Sequence, residues 1–364
     1  MDLSKAFDCV NHELLIAKLS AYGFSKNALL FIHSYLSERA QRVQIETEHS
    51  SYRCLKIGVP QGSILGPLLF NIYINDLFFD FIDSSVHICN YADDNTLYTM
   101  GKNMSEIVED LKMSMQKVNV WFKNNGLQLN VNKCELIVLG KNRIKPISFS
   151  VNDILLKEVD HVKLLGVIID NNLSFTQHAN VLCRKIGAKL SALKRIASYL
   201  SEWQRKIIAT SFVISETNYC PLVWAFASRG SNKKLQRLQE RTMSLIQIPE
   251  YVSLHRRNCE QLLKEVYKTK NDLNPSYMKD VFNFKNCRYE TRRKNTLERN
   301  PIHTTNHGLQ SVSNIASQLW DSLPNDIKNS SSLSKFSSQI KSQKSLQCKC
   351  RICATFISSL GYID

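Results

Sequence analysis

Apolar and polar positions change their rhythm along this chain at about residue 172. From Asn11 to Gly23, "NHELLIAKLSAYG" carries apolar residues at helical spacing, with Asn11 as N-cap and Gly23 as the stop. A second helix is expected through "NALLFIHSYLSER", and "QRVQIE" (41–46) alternates like a strand. "GVPQGS" (58–63) predicts a rigid loop. It leads into "ILGPLLFNIYINDLF", a buried helix that tolerates Pro67 in its first turn and that Asp76 would end. "VHICNYADDNTLYTM" reads as two short strands around a tip. A long amphipathic helix follows in "MSEIVEDLKMSMQKVNVWFKNNG", ending at Gly126, and then strands in "LQLNVNKCELIVLG" and "HVKLLGVIID". Helices interleaved with strands predict α+β or α/β architecture up to about residue 172.

Beyond that point the pattern turns helical and basic. In "LCRKIGAKLSALKRIASYL", Leu182, Ile186, Leu190, Leu193 and Leu200 fall on one face, flanked by Arg184, Lys185, Lys189, Lys194 and Arg195. "SNKKLQRLQERTMSLI" repeats the arrangement. The last hundred residues hold the basic run at 292–294, an amphipathic "SNIASQLWDSLP" and a serine-rich stretch at 329–345.

Composition sharpens this picture in one respect. With 364 residues, 43% hydrophobic and 22% charged, the chain can bury the cores of two or three ordinary domains. No apolar run approaches the ~18 residues of a membrane span. "MDLSKAFD" has neither a basic n-region nor an apolar stretch, so no signal peptide is expected. Eleven cysteines, odd in number and mostly isolated, fit a reducing intracellular compartment. The net charge of +15 is uneven. Residues 1–100 hold 7 of the 47 basic and 11 of the 32 acidic residues, a balance of −4, which leaves +19 for the remainder. An acidic part joined to a strongly basic one fits a carboxylate site served by a surface that holds polyanions.

The carboxylates concentrate at Asp93–Asp94, side by side at the hairpin tip. Two like charges ~4 Å apart repel by roughly 4 kcal/mol at an effective dielectric of ~20. Asp and Asn are ordinary turn residues, so a solvated turn is one reading. The other is a site for hard divalent cations, with Asp2 contributing a third carboxylate from a second strand end. Two such ions can stabilise both the attacking and the leaving oxygen of an in-line phosphoryl displacement.

"DLSKAFDCVNH", "GVPQGSILGPLLFNIYINDL", "YADD", "GLQLNVNKCELIVLG" and "LLGVIID" occur in this order and at compatible spacings. They resemble motifs A to E of the reverse transcriptases of non-LTR, jockey-like retrotransposons. "NYCPLVW" and "GLQSVSNIASQLWDSLPNDIK" are similar to the thumb and tail of the same elements. The resemblance implies an α+β polymerase palm, an antiparallel sheet with packed helices, over 1–172. A helical thumb would follow over 173–250, and a basic C-terminal region over 251–364. It implies RNA-directed DNA synthesis on an RNA template, from a DNA primer and dNTPs, with Mg²⁺ or Mn²⁺ and no membrane. Asp2 and Asp93 would hold the metals and Asp94 would support them. Tyr91, on the face of Asp93 by the period of two, would pack near the primer end.

The same resemblance places Phe7 under the sugar of the incoming nucleotide, where it would exclude a 2′-hydroxyl; the plain alternative is a core aromatic. Gln61 and Gly62 would shape the nucleotide pocket, and Lys133 would protonate the pyrophosphate leaving group. Leu165 and Gly166 would form the primer-grip turn, and Lys185, Lys189, Lys194 and Arg195 the nucleic-acid face. Asp8 reads as a local structural cap.

The chain opens inside motif A, so the expectation is a piece without the family's fingers and endonuclease, with little processive synthesis of its own. The rival reading is an inactive nucleic-acid-binding remnant. "CKCRIC" places Cys348, Cys350 and Cys353 within six residues, which hints at zinc. A closed site needs four ligands, and the nearest upstream histidines are His303 and His307. These cysteines are therefore read as reduced tail thiols.

Overall fold

The computed structural model describes residues 1–81, 84–140, 147–151, 154–226, 229–247, 251–285, 296–299, 301, 311–343, 346, 348 and 350. The chain divides into two units, Met1–Leu165 and Gly166–Asp364. The first mixes helices with small antiparallel sheets, and the second is mainly helical, so the class is α+β. No helix among the described residues is long and apolar enough to cross a membrane.

In the first unit local signals set the helix ends. The Asn11 side chain accepts from the Leu14 amide at 2.9 Å and starts α1 (His12–Ala21), and Gly23 leaves it with φ 86°. Ser25 caps α2 (Lys26–Leu36) in the same way. In α3 (Leu65–Ile74) Leu69, Phe70, Tyr73 and Ile74 are buried, as expected for a helix apolar on most of its circumference. The amphipathic α4 (Met104–Asn124) buries Met115, Val118 and Phe122, and Gly126 follows it with φ 68°. These residues join Leu15, Leu19 and Leu36 in one core.

The strands of this unit are shorter than the alternation predicts. β1 (Asp2–Leu3) pairs antiparallel with β4 (Leu129–Asn130), and β2 (Val86–Tyr91) pairs with β3 (Asp94–Thr99) in a hairpin. The expected strand at 41–46 is reduced to two two-residue ladders, Ala40–Gln41 with Arg53–Cys54 and Gln44–Ile45 with Glu48–His49. Val43 and Ile45 are exposed there, so their alternation meets no core to bury it. The strand expected over 127–140 ends after Asn130, where Val131–Lys133 form a turn of 3-10 helix. Asparagines at 130 and 132 favour such a turn over a ladder.

A cation is built into this core. Lys18 Nζ in α1 donates to the Tyr73 carbonyl at 2.7 Å and to the Asp76 carboxylate at 2.6 Å. It also lies 4.7 Å from the ring centroids of Tyr73 and Trp121. Burial pushes the Lys18 pKa below its ordinary value, against the opposing pull of Asp76. One ammonium thus ties α1, α3 and α4. Asp76 does not end its helix: α3 stops at Ile74, and the aspartate sits in the 3-10 segment Asn75–Phe81 as the counter-ion.

In the second unit α5 (Thr176–Ile196), followed in the chain by the short α6 (Glu202–Ile208), buries Leu182, Ile186 and Leu193 against α7 (Arg229–Leu245), while Leu190 and Leu200 are half-buried. A further core forms around α8 (Leu254–Lys270), α9 (Val312–Asp321) and α10 (Leu333–Ser342). Tyr267 stacks on Phe336 with centroids 4.4 Å apart and donates its hydroxyl to the Ser330 carbonyl at 2.6 Å. The serine-rich stretch therefore contains a helix. Ser332 caps α10, whose Phe336 and Ile340, four residues apart, are both fully buried.

Replacing Lys18 by alanine should cost about 2 kcal/mol in urea denaturation, below the range for a fully buried pair because Asp76 is partly solvated. A loss under about 0.5 kcal/mol would show that solvent already screens the pair.

Candidate active site

Reciprocal backbone bonds place Asp2 beside the hairpin tip. Met1 N donates to the Asn95 carbonyl at 2.7 Å, and Asn95 N donates to the Met1 carbonyl at 3.1 Å. That exchange marks an antiparallel hydrogen-bonded pair, so Asp2 follows Met1 in the direction of Asp94 and Asp93. β1 thereby joins the hairpin on one edge and β4 on the other. Lys133, in the turn after β4, reaches back to Asp2 Oδ2 at 3.0 Å. Asp2 in β1, Asp93 in the hairpin turn, Asp94 at the start of β3 and Lys133 in the turn after β4 thus come from neighbouring strands.

The three carboxylates are not drawn into a closed ligand set. Asp2 is paired with an ammonium, Asp93 lies half-buried in the turn and Asp94 is exposed at the start of β3. The tip also corrects the expectation for Tyr91. β2 ends at Tyr91, and Ala92 follows with φ 53°, so the period of two does not carry across to Asp93. Tyr91 stands opposite Asp94 in the ladder instead, with its side chain exposed.

The loop at 58–63 is clamped onto the 3-10 turn Ala6–Asp8 and the residues after it. Gly58 N donates to Val10 O at 2.7 Å, and Val59 N to Phe7 O at 2.8 Å. Gln61 Nε2 donates to Asp8 Oδ1 at 2.9 Å. Asp8 is therefore structural as expected, but its partner lies 53 residues away rather than in a local cap. Ser63 Oγ accepts from Gly66 N at 3.0 Å, which satisfies an amide in the first turn of α3. Phe7 lays one face on Phe70, centroids 4.6 Å apart, and remains half-exposed. Gly62 has φ 79° and open space around its Cβ position.

At the start of the second unit, Gly166 has φ 87° and approaches the Tyr219 ring, while Leu165 before it has φ 44°. Two successive left-handed residues are what a type I′ turn requires. On α5, Lys185, Lys194 and Arg195 are exposed. Lys189 is engaged within the unit, 2.5 Å from Glu216 Oε1. Cations that sequence reading did not single out as a site line a cleft of about 320 Å³ between α5 and α7: Arg184, Lys234, Arg237 and Arg241. The signal was visible as helical spacing of basic residues in α7, but which of them face α5 is a tertiary fact.

Residues 1–169 match the family described as "Reverse transcriptase (RNA-dependent DNA polymerase)". That span, just under half of the chain, is similar to reverse transcriptases. The RNA-directed DNA polymerase from mobile element jockey of Drosophila melanogaster is 26% identical over 254 residues, 68% of this chain and 28% of that protein. A probable RNA-directed DNA polymerase from transposon BS of the same organism is 26% identical over 270 residues, 70% of this chain and 30% of its own. A Pol polyprotein from the type-1 retrotransposable element R1 2 of Nasonia vitripennis is 28% identical over 180 residues, 46% of this chain and 43% of its own. The chain thus spans under a third of the jockey and BS proteins it matches, and it resembles non-LTR reverse transcriptases over that length.

The clamp at Gly58 gives a direct comparison of two glycines in this domain. A Cβ on Gly58 (φ 91°) would lie 2.9 Å from the Asp8 backbone oxygen, which cannot move aside. Gly58→Ala should destabilise by about 2–4 kcal/mol, from left-handed strain plus overpacking, whereas Gly62→Ala should cost only about 1–2. Equal losses in chemical denaturation would show that the backbone contact at Gly58 relaxes without cost.

Proposed function

We propose that the first unit is the palm of an RNA-directed DNA polymerase. It would join a primer 3′-hydroxyl to the α-phosphorus of a dNTP, and the basic helices after residue 172 would act as the thumb that holds the nucleic acid. The observation that carries the proposal is the Met1–Asn95 backbone pair, which sets Asp2 next to the Asp93–Asp94 tip within the span of the family match. Asp2 and Asp93, with Asp94 beside them, would hold divalent cations, Mg²⁺ or Mn²⁺; hard oxygen donors suit both. When bound, such ions stabilise the charge that builds on the attacking and leaving oxygens.

The remaining roles fall to the chain's own residues. Phe7, backed by Phe70, would present a flat apolar platform to the sugar and leave no room for a 2′-hydroxyl. Gln61 and Gly62, fixed by the Asp8 contact, would border the nucleotide. Lys133 would give a proton to the departing pyrophosphate once Asp2 turns to metal. Leu165 and Gly166 would support the primer. A second reading, a nucleic-acid-binding remnant without catalysis, draws on the open carboxylate set and the Lys133–Asp2 pair.

Metal titration separates the two readings. Mn²⁺ binding followed by paramagnetic resonance should weaken at least about tenfold in Asp93→Asn and in Asp2→Asn, since each removes a charged ligand. Wild-type affinity in both variants would favour the remnant.

Nucleic-acid affinity should fall steeply with salt through counterion release. Neutralising Lys185, Lys194, Arg237 and Arg241 together should flatten the slope of log K against log salt by about 2–4, whereas neutralising Lys189, already paired with Glu216, should change it by less than about 0.5. An unchanged slope in the fourfold variant would put the contact on another face.

A further inference from the structure

Two of the three cysteines read as reduced tail thiols, Cys348 and Cys350, converge on helix α8. His255 and Cys259 lie four residues apart on its first turns and so share a face. Cys348 and Cys350, more than eighty residues later, return to that face. His255 Nε2 is 3.4 Å from Cys259 Sγ and 3.5 Å from Cys350 Sγ. One ligand atom each from His255, Cys259 and Cys348 lie within 4.8 Å of one another. The three sulfurs are withdrawn from solvent, with Cys259 at 1%, Cys348 at 9% and Cys350 at 2% exposure.

We propose that His255, Cys259 and Cys348, with Cys350 supplying the fourth ligand, bind one zinc ion in a tetrahedral site that fastens Cys348 and Cys350 to α8. Zn–S bonds of about 2.3 Å and Zn–N bonds of about 2.0–2.1 Å, at tetrahedral angles, separate nitrogen from sulfur by about 3.5 Å. The two nitrogen–sulfur distances above have that length. Isolated buried cysteines act as small apolar groups, but such packing gives no reason for three thiols to surround an imidazole nitrogen.

The neighbouring residue builds the return path. Arg256 Nη2 donates to the Ile340 and Gln343 carbonyls at 2.7 and 2.9 Å, which fixes the end of α10 beside α8. Arg256 Nε also donates to Glu260 at 2.7 Å, so its guanidinium is held in place. A cleft of about 600 Å³ lined by Ser253, Arg256, Lys341 and Cys348 opens beside the cluster and gives a metal its way in. Binding releases the three thiol protons and leaves a site of net charge −1, which Arg256 and Lys341 offset. Cys353 lies outside the described residues, as do His303 and His307.

Full-length chain, expressed with zinc and dialysed under reductant against metal-free buffer, should retain close to one zinc per chain by elemental analysis. Cys259→Ser, Cys348→Ser and Cys350→Ser should each lose most of it, while Cys220→Ser, at an exposed position, should keep it. Because a ligand variant can fail to fold, the wild-type chain supplies a second readout. Adding a strong chelator should speed alkylation of Cys259, Cys348 and Cys350 by about tenfold or more, mapped by mass spectrometry, and leave Cys54 and Cys220 unchanged. Cobalt in place of zinc should give thiolate charge-transfer bands and the intense visible bands of a tetrahedral ion. Absence of bound zinc with chelator-independent alkylation would overturn the proposal. So would a Cys259–Cys348 disulfide under reductant, or metal lost in Cys353→Ser but kept in Cys350→Ser.

Discussion

The first unit turns on a place where two backbones touch. Gly58 lies against Asp8 so closely that no side chain fits between them, and three hydrogen bonds sew the 58–61 loop to the 3-10 turn below. A similar approach recurs at Gly66, whose Cβ position is 2.7 Å from the Pro60 carbonyl oxygen. These contacts fix the entry to α3, and α3 supplies Phe70 as the bed for Phe7. The same turn follows β1, so the position of Asp2 depends on it as well. Glycine and serine in "GVPQGS" are thus required by geometry, independently of any substrate.

Electrostatics explains why the carboxylates stay apart. Asp2 finds its partner in Lys133 at 3.0 Å, but the lysine side chain is 66% exposed. An ion pair that wet contributes only about 0–1 kcal/mol. Asp93 and Asp94 together would repel by several times that amount if drawn to the same point without a cation. The arrangement is therefore open, and the divalent ion proposed for it would offer Asp2 a stronger partner than an ammonium. The weakness of the Lys133 contact is compatible with its proposed role as a proton donor, which requires the lysine to leave Asp2.

Much of this was readable in the chain. Asn11, Gly23 and Gly126 end helices where spacing and capping chemistry put them, because those signals act within one turn. Strand lengths were over-read at 41–46 and 127–140, since alternation predicts a strand only where a core exists to receive one face. α8 escaped notice although it centres a core, as did the helix within the serine-rich stretch. Serine content hid Phe336 and Ile340 there, and two apolar residues four apart are a weak signal until Tyr267 and Trp320 are seen to meet them. Asp8 and Gln61, or His255 and Cys350, are pairs separated by 53 and 95 positions. No local rule reports such contacts.

The second unit shows how one unmet backbone requirement can organise chemistry far along the chain. The last carbonyls of a helix have no partners within it and must find donors elsewhere. At the end of α10 the donors come from Arg256, and a guanidinium that also grips Glu260 has little freedom to move. The end of α10 is therefore held close to the first turn of α8. His255 precedes Arg256, and Cys259 sits one turn on, so Cys348 and Cys350 meet an imidazole and a thiol there. Cysteines at 348 and 350 are near enough in sequence to arrive together, and three buried thiols beside a histidine make a soft donor set of the kind zinc takes. The proposed zinc ion would add more free energy than packing alone provides and would make Cys348 and Cys350 ligands rather than tail thiols.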